Sequence, residues 1–374
     1  MKNLQLFENG VPALLPQMVI FNKEKLSQKL SELEEYNNLT SIKKEVIKLK
    51  EIVTNPKNDK NGYLNIETNG GDTIKVRKDI FLKELNQIIE TITLDRAKYY
   101  IKRLRKGIEK VKTNKINDIN LLRWKEYDEI ITDSLWILDK RDTVGAHLGW
   151  YWGNFVPQIP RQMMLRYTKR GDWVLDPFLG SGTTLIECKR LGRNGVGIEL
   201  NSQVAQKAEA LVNEEKNEFD VITKIIIGDS RKINIRSILN NLGITQFQLV
   251  IMHPPYHDII KFSDDEHDLS NAKTITHFLS MFGEVVDNIS PFLEKRRYLS
   301  LVIGDKYSKG EWIPLGFYCM EEVLKRDFTL KCIIVKNFEE TRGKRNQKEL
   351  WRYRALVGGF YVFKHEYIML FQKS

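Results

Sequence analysis

Cysteine is scarce in this chain: three residues, Cys188, Cys319 and Cys332, in 374. They lie far apart and without zinc-ligand spacing, which excludes a disulfide-stapled scaffold and suits a reducing compartment. No apolar run approaches the roughly 18 residues of a membrane helix, so no membrane partner is expected. Met1–Ile20 has no basic stretch leading into an apolar one, so no signal peptide is expected and the expected location is cytoplasmic. No histidine–acid cluster has metal-ligand spacing, so no metal is expected. Internal repeats and low-complexity segments are also missing. Acidic residues are outnumbered, 49 against 59 Lys and Arg, and the net charge of +10 favours an acidic polymer such as nucleic acid. The length leaves room for a catalytic domain and one more.

What is present centres on Trp173-Val-Leu-Asp-Pro-Phe-Leu-Gly-Ser-Gly-Thr-Thr184. A short apolar run ends in an acid, Gly180 and Gly182 supply a tight turn, and Thr183–Leu191 has the pattern of a helix. Strand, glycine turn and helix start let backbone N–H groups approach a ligand closely. A phosphate-gripping loop needs Gly-Lys-Ser/Thr, and no lysine stands there. A dinucleotide turn needs a third glycine, which is missing.

From this stretch onward strands and helices alternate. Strands are expected at Trp173–Asp176, Gly195–Glu199, Ile222–Ile227, Phe247–Met252, Tyr298–Ile303, Lys331–Val335 and Glu366–Phe371. Helices are expected at Thr183–Leu191, Ser202–Glu215, Ile233–Leu242, Ile275–Ile289 and Tyr318–Lys325. This is a doubly wound α/β sheet of seven strands. The preceding region, 1–119, is expected to be mostly helical and basic, an accessory or DNA-binding domain; 120–374 is expected to be catalytic. Within the first region, residues 1–20 are poorly patterned and expected to be a loose arm. Phe21–Val53 is amphipathic, broken at Asn37-Asn38. Tyr63–Glu67 and Thr73–Arg77 flank a glycine turn and are expected to pair as a hairpin. Leu94–Val111 is the most basic helix. It tracks phosphates or forms the solvated face of a packing helix.

Two acids end the next strands: Glu199, placed to accept from ribose hydroxyls, and Asp229 in Gly228-Asp-Ser230. His253-Pro-Pro-Tyr256 follows an apolar strand. Together, Asp176-Pro-Phe-Leu-Gly-Ser-Gly-Thr-Thr184 and His253-Pro-Pro-Tyr256 resemble the cofactor and catalytic loops of S-adenosylmethionine-dependent DNA amino-methyltransferases. The resemblance spans roughly 145–372 and implies a Rossmann-like seven-stranded methyltransferase sheet. It implies that S-adenosyl-L-methionine is held by Phe155, Pro157, Asp176, Pro177, Phe178, Gly180, Ser181, Gly182, Thr183, Thr184, Glu199 and Asp229. It implies catalysis at His253, Pro254, Pro255 and Tyr256, on the exocyclic amine of a base flipped from double-stranded DNA. Such an amine is a poor nucleophile because its lone pair is conjugated into the ring. Rigid acceptors must draw its hydrogens out of plane, and prolines hold acceptors rigidly.

His253 departs from the family's Asp, Asn or Ser. A neutral imidazole still offers one acceptor nitrogen, and a proton on it abolishes the role. Carbon-5 methylation of cytosine is excluded, since no cysteine follows a proline as its nucleophile would. Adenine N6 is slightly favoured over cytosine N4. RNA methylation and a catalytically silent homologue are the alternatives, and a cognate restriction endonuclease is a further expected partner. The basic, aromatic stretch between the last two strands puts Arg342, Lys344, Arg345, Arg352 and Arg354 in line for DNA.

Overall fold

The computed structural model describes residues 17–64, 72–337 and 348–374. Internal contacts divide the chain into two units, 1–115 with 119–129, and 116–118 with 130–374.

The first unit is built on β1 (Met18–Asn22), α1 (Lys23–Glu35), α2 (Leu39–Thr54), β2 (Thr73–Arg77), α3 (Lys78–Ile89) and α4 (Leu94–Glu109). Leucines at helical spacing, Leu26, Leu30 and Leu33, bury one face of α1 against Ile101 and Leu104 of α4 and their neighbours. The break at Asn37-Asn38 is a cap, with Asn38 accepting from Thr40 N at 2.8 Å and Ser41 N at 3.2 Å. Two expectations need correction. Thr73–Arg77 pairs antiparallel with Met18–Asn22, so the end of the presumed loose arm is a strand. Tyr63 and Leu64 are not in a strand, and 65–67 lie outside the described residues. The cause is long-range: Phe21 is fully buried against Phe81, at 4.8 Å between ring centroids, which anchors β1 in the core. In α4, Arg103 is tied to Glu84, and Arg105 to Glu34 and Glu109, while Arg96, Lys102, Lys106 and Lys110 face solvent.

The second unit runs β3 (Leu135–Trp136), α5 (Gln158–Tyr167), β4 (Trp173–Asp176), α6 (Thr183–Leu191), β5 (Asn194–Glu199), α7 (Ser202–Glu214), β6 (Thr223–Ile227), α8 (Ile235–Leu242) and β7 (Phe247–Met252). It continues with α9 (Ile275–Ile289), β8 (Leu293–Ile303), β9 (Lys306–Ser308), β10 (Glu311–Ile313), α10 (Leu315–Leu324), β11 (Phe328–Asn337), α11 (Lys348–Gly358) and β12 (His365–Lys373). Among the described residues, eight strands form one sheet in the order β3-β11-β12-β8-β7-β4-β5-β6. The eighth, not expected, is the two-residue β3, which Trp136 fixes by full burial. Strands β8 to β6 along this order run parallel, and β12 lies antiparallel between β8 and β11. Helices cover both faces, one core on each. Chain order reverses between β4 and β7, and such a switch point opens a crevice at the carboxyl ends of the strands. No described helix is long and apolar enough to cross a membrane.

Candidate active site

The loop after β4 is fixed by its own acid. Asp176 accepts from Phe178 N at 3.0 Å and from Thr184 Oγ1 at 2.5 Å, tying the strand end to the first turn of α6. Its side chain is fully buried, and that burial pushes the carboxyl up to about 7 even though both hydrogen bonds oppose the rise. Gly182 caps α6 at φ +84°, where a Cβ would stand 3.0 Å from Val212 Cγ2. Only glycine fits both the left-handed backbone and that approach.

Glu199 ends β5 and closes the loop from the other side. Its Oε2 accepts from Gly180 N at 2.8 Å and its Oε1 from Asn201 N at 2.9 Å. Burial raises its pKa, and the backbone donors partly offset the rise. Each carboxylate oxygen keeps a second acceptor position. Asp229, beyond β6, is paired with Arg231 at 2.8 Å. Over the loop lies the segment before α5: Asn154 donates to Ser181 Oγ at 3.0 Å, and the Tyr151 ring covers Gly180.

At the carboxyl end of β7, His253 Nε2 lies 3.2 Å from Tyr256 Oη, and the Phe155 ring meets the imidazole edge-on at 5.0 Å. Tyr256 Oη donates to Glu366 Oε2 at 2.9 Å, and Lys336 Nζ donates to Glu366 Oε1 at 3.0 Å. Gly304, at the end of β8, gives the Tyr256 ring room that a Cβ at 2.9 Å would take.

These two constellations line one cavity of about 820 Å³. Phe155, Pro177, Phe178, Gly180, Ser181, Thr183, Glu199 and Asp229 reach it from the loop side, and His253, Pro254, Pro255 and Tyr256 from the other. Pro157, Asp176, Gly182 and Thr184 do not line it. Pro157 caps α5, Thr184 is bonded to Asp176, and Gly182 caps α6. Sequence reasoning missed Lys336, His365 and Glu366, which also line the cavity. The available signal was a charge inside an otherwise apolar strand, Ile333-Ile-Val-Lys336 and Glu366-Tyr-Ile-Met369. Trp351 lines it as well, although a tryptophan there reads as packing. Among the described residues no group of three acids, histidines or cysteines is placed to hold a metal. Arg342, Lys344 and Arg345 lie outside the described residues, whereas Arg352 and Arg354 are exposed on α11, with Arg354 Cζ 5.2 Å from the Trp351 ring.

A family model described as DNA methylase matches residues 17–210, just over half of the chain. The chain belongs to the DNA methylase family. Similar proteins include the Type II methyltransferase M.MjaII of Methanocaldococcus jannaschii, 34% identical over 97 residues, which are 26% of this chain and 18% of that protein. Over 61 residues the chain is 44% identical to the Type II methyltransferase M.HpaI of Haemophilus parainfluenzae, covering 16% of this chain and 19% of the relative. A tRNA (guanine(10)-N2)-dimethyltransferase of M. jannaschii is 34% identical over 106 residues, 28% of this chain and 29% of that protein. The matches thus span under a third of each relative. Among solved structures, TrmN from Thermus thermophilus aligns at a TM-score of 0.38 and 14% identity, over 60% of this chain and 50% of its own. For this member of the DNA methylase family, the sheet itself carries the α/β assignment.

Proposed function

We propose that this chain transfers the methyl group of S-adenosyl-L-methionine to the exocyclic amine of a base flipped from double-stranded DNA, adenine N6 ahead of cytosine N4. The observation that carries this reading is one cavity joining a glycine loop and the Glu199 carboxylate to a rigid His-Pro-Pro-Tyr turn. The residues fit the cofactor: Glu199 keeps acceptor positions for a ribose diol, Asp229 stands at the next strand end, and Phe178 supplies an apolar wall. When bound, the cofactor supplies an electrophilic methyl on a sulfonium. The chain's part is to orient and to exclude water. His253 and the Pro254 carbonyl accept from the amine, pulling its hydrogens out of the ring plane so the nitrogen lone pair is exposed, and Tyr256 offers a flat face to the base.

Incubation with labelled cofactor and duplex DNA, followed by nucleoside mass analysis, is expected to yield methylated adenine. Methylated cytosine would instead select N4, and label on RNA alone would overturn the DNA reading. The RNA reading is kept because one similar protein is named for a tRNA substrate.

We also propose that Arg352 and Arg354, with Arg342, Lys344 and Arg345, meet the DNA backbone, and that the basic first unit is an accessory DNA-binding domain. Alanine at both Arg352 and Arg354 is expected to flatten the salt dependence of DNA affinity by about two in log–log slope, one per phosphate contact. An unchanged slope would move the grip to the solvent-facing cations of α4 and its C-cap, Arg96, Lys102, Lys106 and Lys110.

A further inference from the structure

Buried charge at the floor of a binding cavity needs a reason, because desolvating both partners of an ion pair costs about as much as their attraction returns. Lys336 and Glu366 are such a pair, 5% and 9% exposed, joined at 3.0 Å on paired positions of β11 and β12. The pair ends in Tyr256, and Tyr256 ends in His253. We propose that Lys336 and Glu366 are positioning residues that set the tautomer of His253, so that its Nδ1 presents a lone pair to the target amine.

The tautomer follows from the proton count. Burial pushes the Glu366 carboxyl up, but Lys336 Nζ at 3.0 Å gives it a buried countercharge and a donor that oppose the rise, so Glu366 is the anion of the pair and only accepts. Tyr256 has a single hydroxyl proton, and Glu366 Oε2 takes it at 2.9 Å. The phenol oxygen therefore has only lone pairs to offer the imidazole 3.2 Å away, so His253 Nε2 is the N–H nitrogen and donates to it. In a neutral ring Nδ1 is then the acceptor. Phe155, edge-on to the ring, holds its plane. Lys336 keeps Glu366 charged, Glu366 orients the phenol, and the phenol selects the nitrogen.

This rests on the base-amine reading above, but its test does not depend on activity alone. In the full chain with ¹⁵N-labelled histidine, the His253 resonance, identified by its absence from His253→Asn, is expected to show a protonated Nε2 and an unprotonated Nδ1. Glu366→Gln reverses the proton order. Lys336 retains the amide oxygen, the NH₂ group donates to Tyr256, the phenol donates to His253 Nε2, and the ring proton moves to Nδ1. The variant is therefore expected to show the inverted tautomer and a turnover at least about 100-fold lower, the lower end of what a misplaced proton-handling group costs. Cofactor affinity by calorimetry should stay within about threefold.

A wild-type His253 protonated at Nδ1 would overturn the proposal, and that measurement stands even if the variant does not fold. Lost turnover in Glu366→Gln without inversion would reduce the pair to a structural role. Inversion with full turnover would overturn its link to chemistry. If the wild-type chain methylates no nucleic acid while the tautomers behave as stated, the functional reading fails and the relay stands.

Discussion

His253→Ala is expected to lower methyl-transfer turnover by about 10²–10⁴-fold while leaving cofactor binding intact. The imidazole meets Tyr256 and the Phe155 ring at the Pro-Pro-Tyr end of the cavity. Asn at 253 retains an acceptor oxygen and should keep more activity than Ala. The pH dependence follows from burial, which lowers the His253 pKa to about 4; Glu366 opposes the fall and Lys336 adds to it. The working form is the neutral ring. It is fully present above the pKa and is lost as pH falls through about 4. An unperturbed histidine would instead lose activity near 6.5. Single-turnover rates should therefore be flat in this group from pH 8 to about 5.5, with the acid limb below that absent from His253→Asn. A limb near 6.5 that vanishes in the Asn variant would show the ring to be well hydrated. Near-wild-type turnover in His253→Ala would leave the amine to the Pro254 carbonyl and Tyr256.

The second large effect is expected at Gly182, which does not line the cavity. Valine there meets a left-handed backbone at φ +84°, costing about 1–2 kcal/mol. It also drives a side chain against Val212 and Ala208 of α7, with an overpacking cost of about 1–3 kcal/mol. A total of about 2–5 kcal/mol should lower the melting temperature by on the order of 10 °C. Relief requires the loop to lift, and the loop carries Gly180, whose N–H orients Glu199 at 2.8 Å. Calorimetry below the variant's own melting point should show S-adenosylmethionine affinity reduced at least tenfold. Undiminished binding would dissociate the loop from the cofactor.

What was legible in the sequence was local. Trp173–Asp176 and Phe247–Met252 are buried on both faces, so they stand out as continuous apolar runs, and the structure gives them the expected bounds. The glycine turn is legible because φ +54° and +84° at Gly180 and Gly182 demand glycine. Helix α5, not among the expected helices, has Pro157 and Pro160 at its start. They sit at the cap and in the first turn, where no intrahelical N–H is needed. The pairing of β2 with β1 was hidden because a turn-flanked strand points to its neighbour, while its partner lies some fifty residues upstream. Glu366 and Lys336 are ordinary surface residue types until β12 and β11 are zipped together. Each stands beside an apolar run, but their partnership exists only in the pairing.

That pairing has a consequence for how specificity can change. β11 and β12 pair from Asn337 opposite His365 to Phe328 opposite Lys373, with one shift of register between Leu330 and Cys332. The chain leaves the sheet after Asn337 and returns at His365, its partner on the same rung, and the exposed arginines of α11 belong to the stretch between them. Such an excursion is a cassette. A change in its length is expected to leave the β11–β12 register in place, because both of its ends are clamped by the same ladder. Its ends are next to Lys336 and Glu366, and its Trp351 and Phe363 line the same cavity, so a change in this segment reaches that buried pair as well as the exposed arginines.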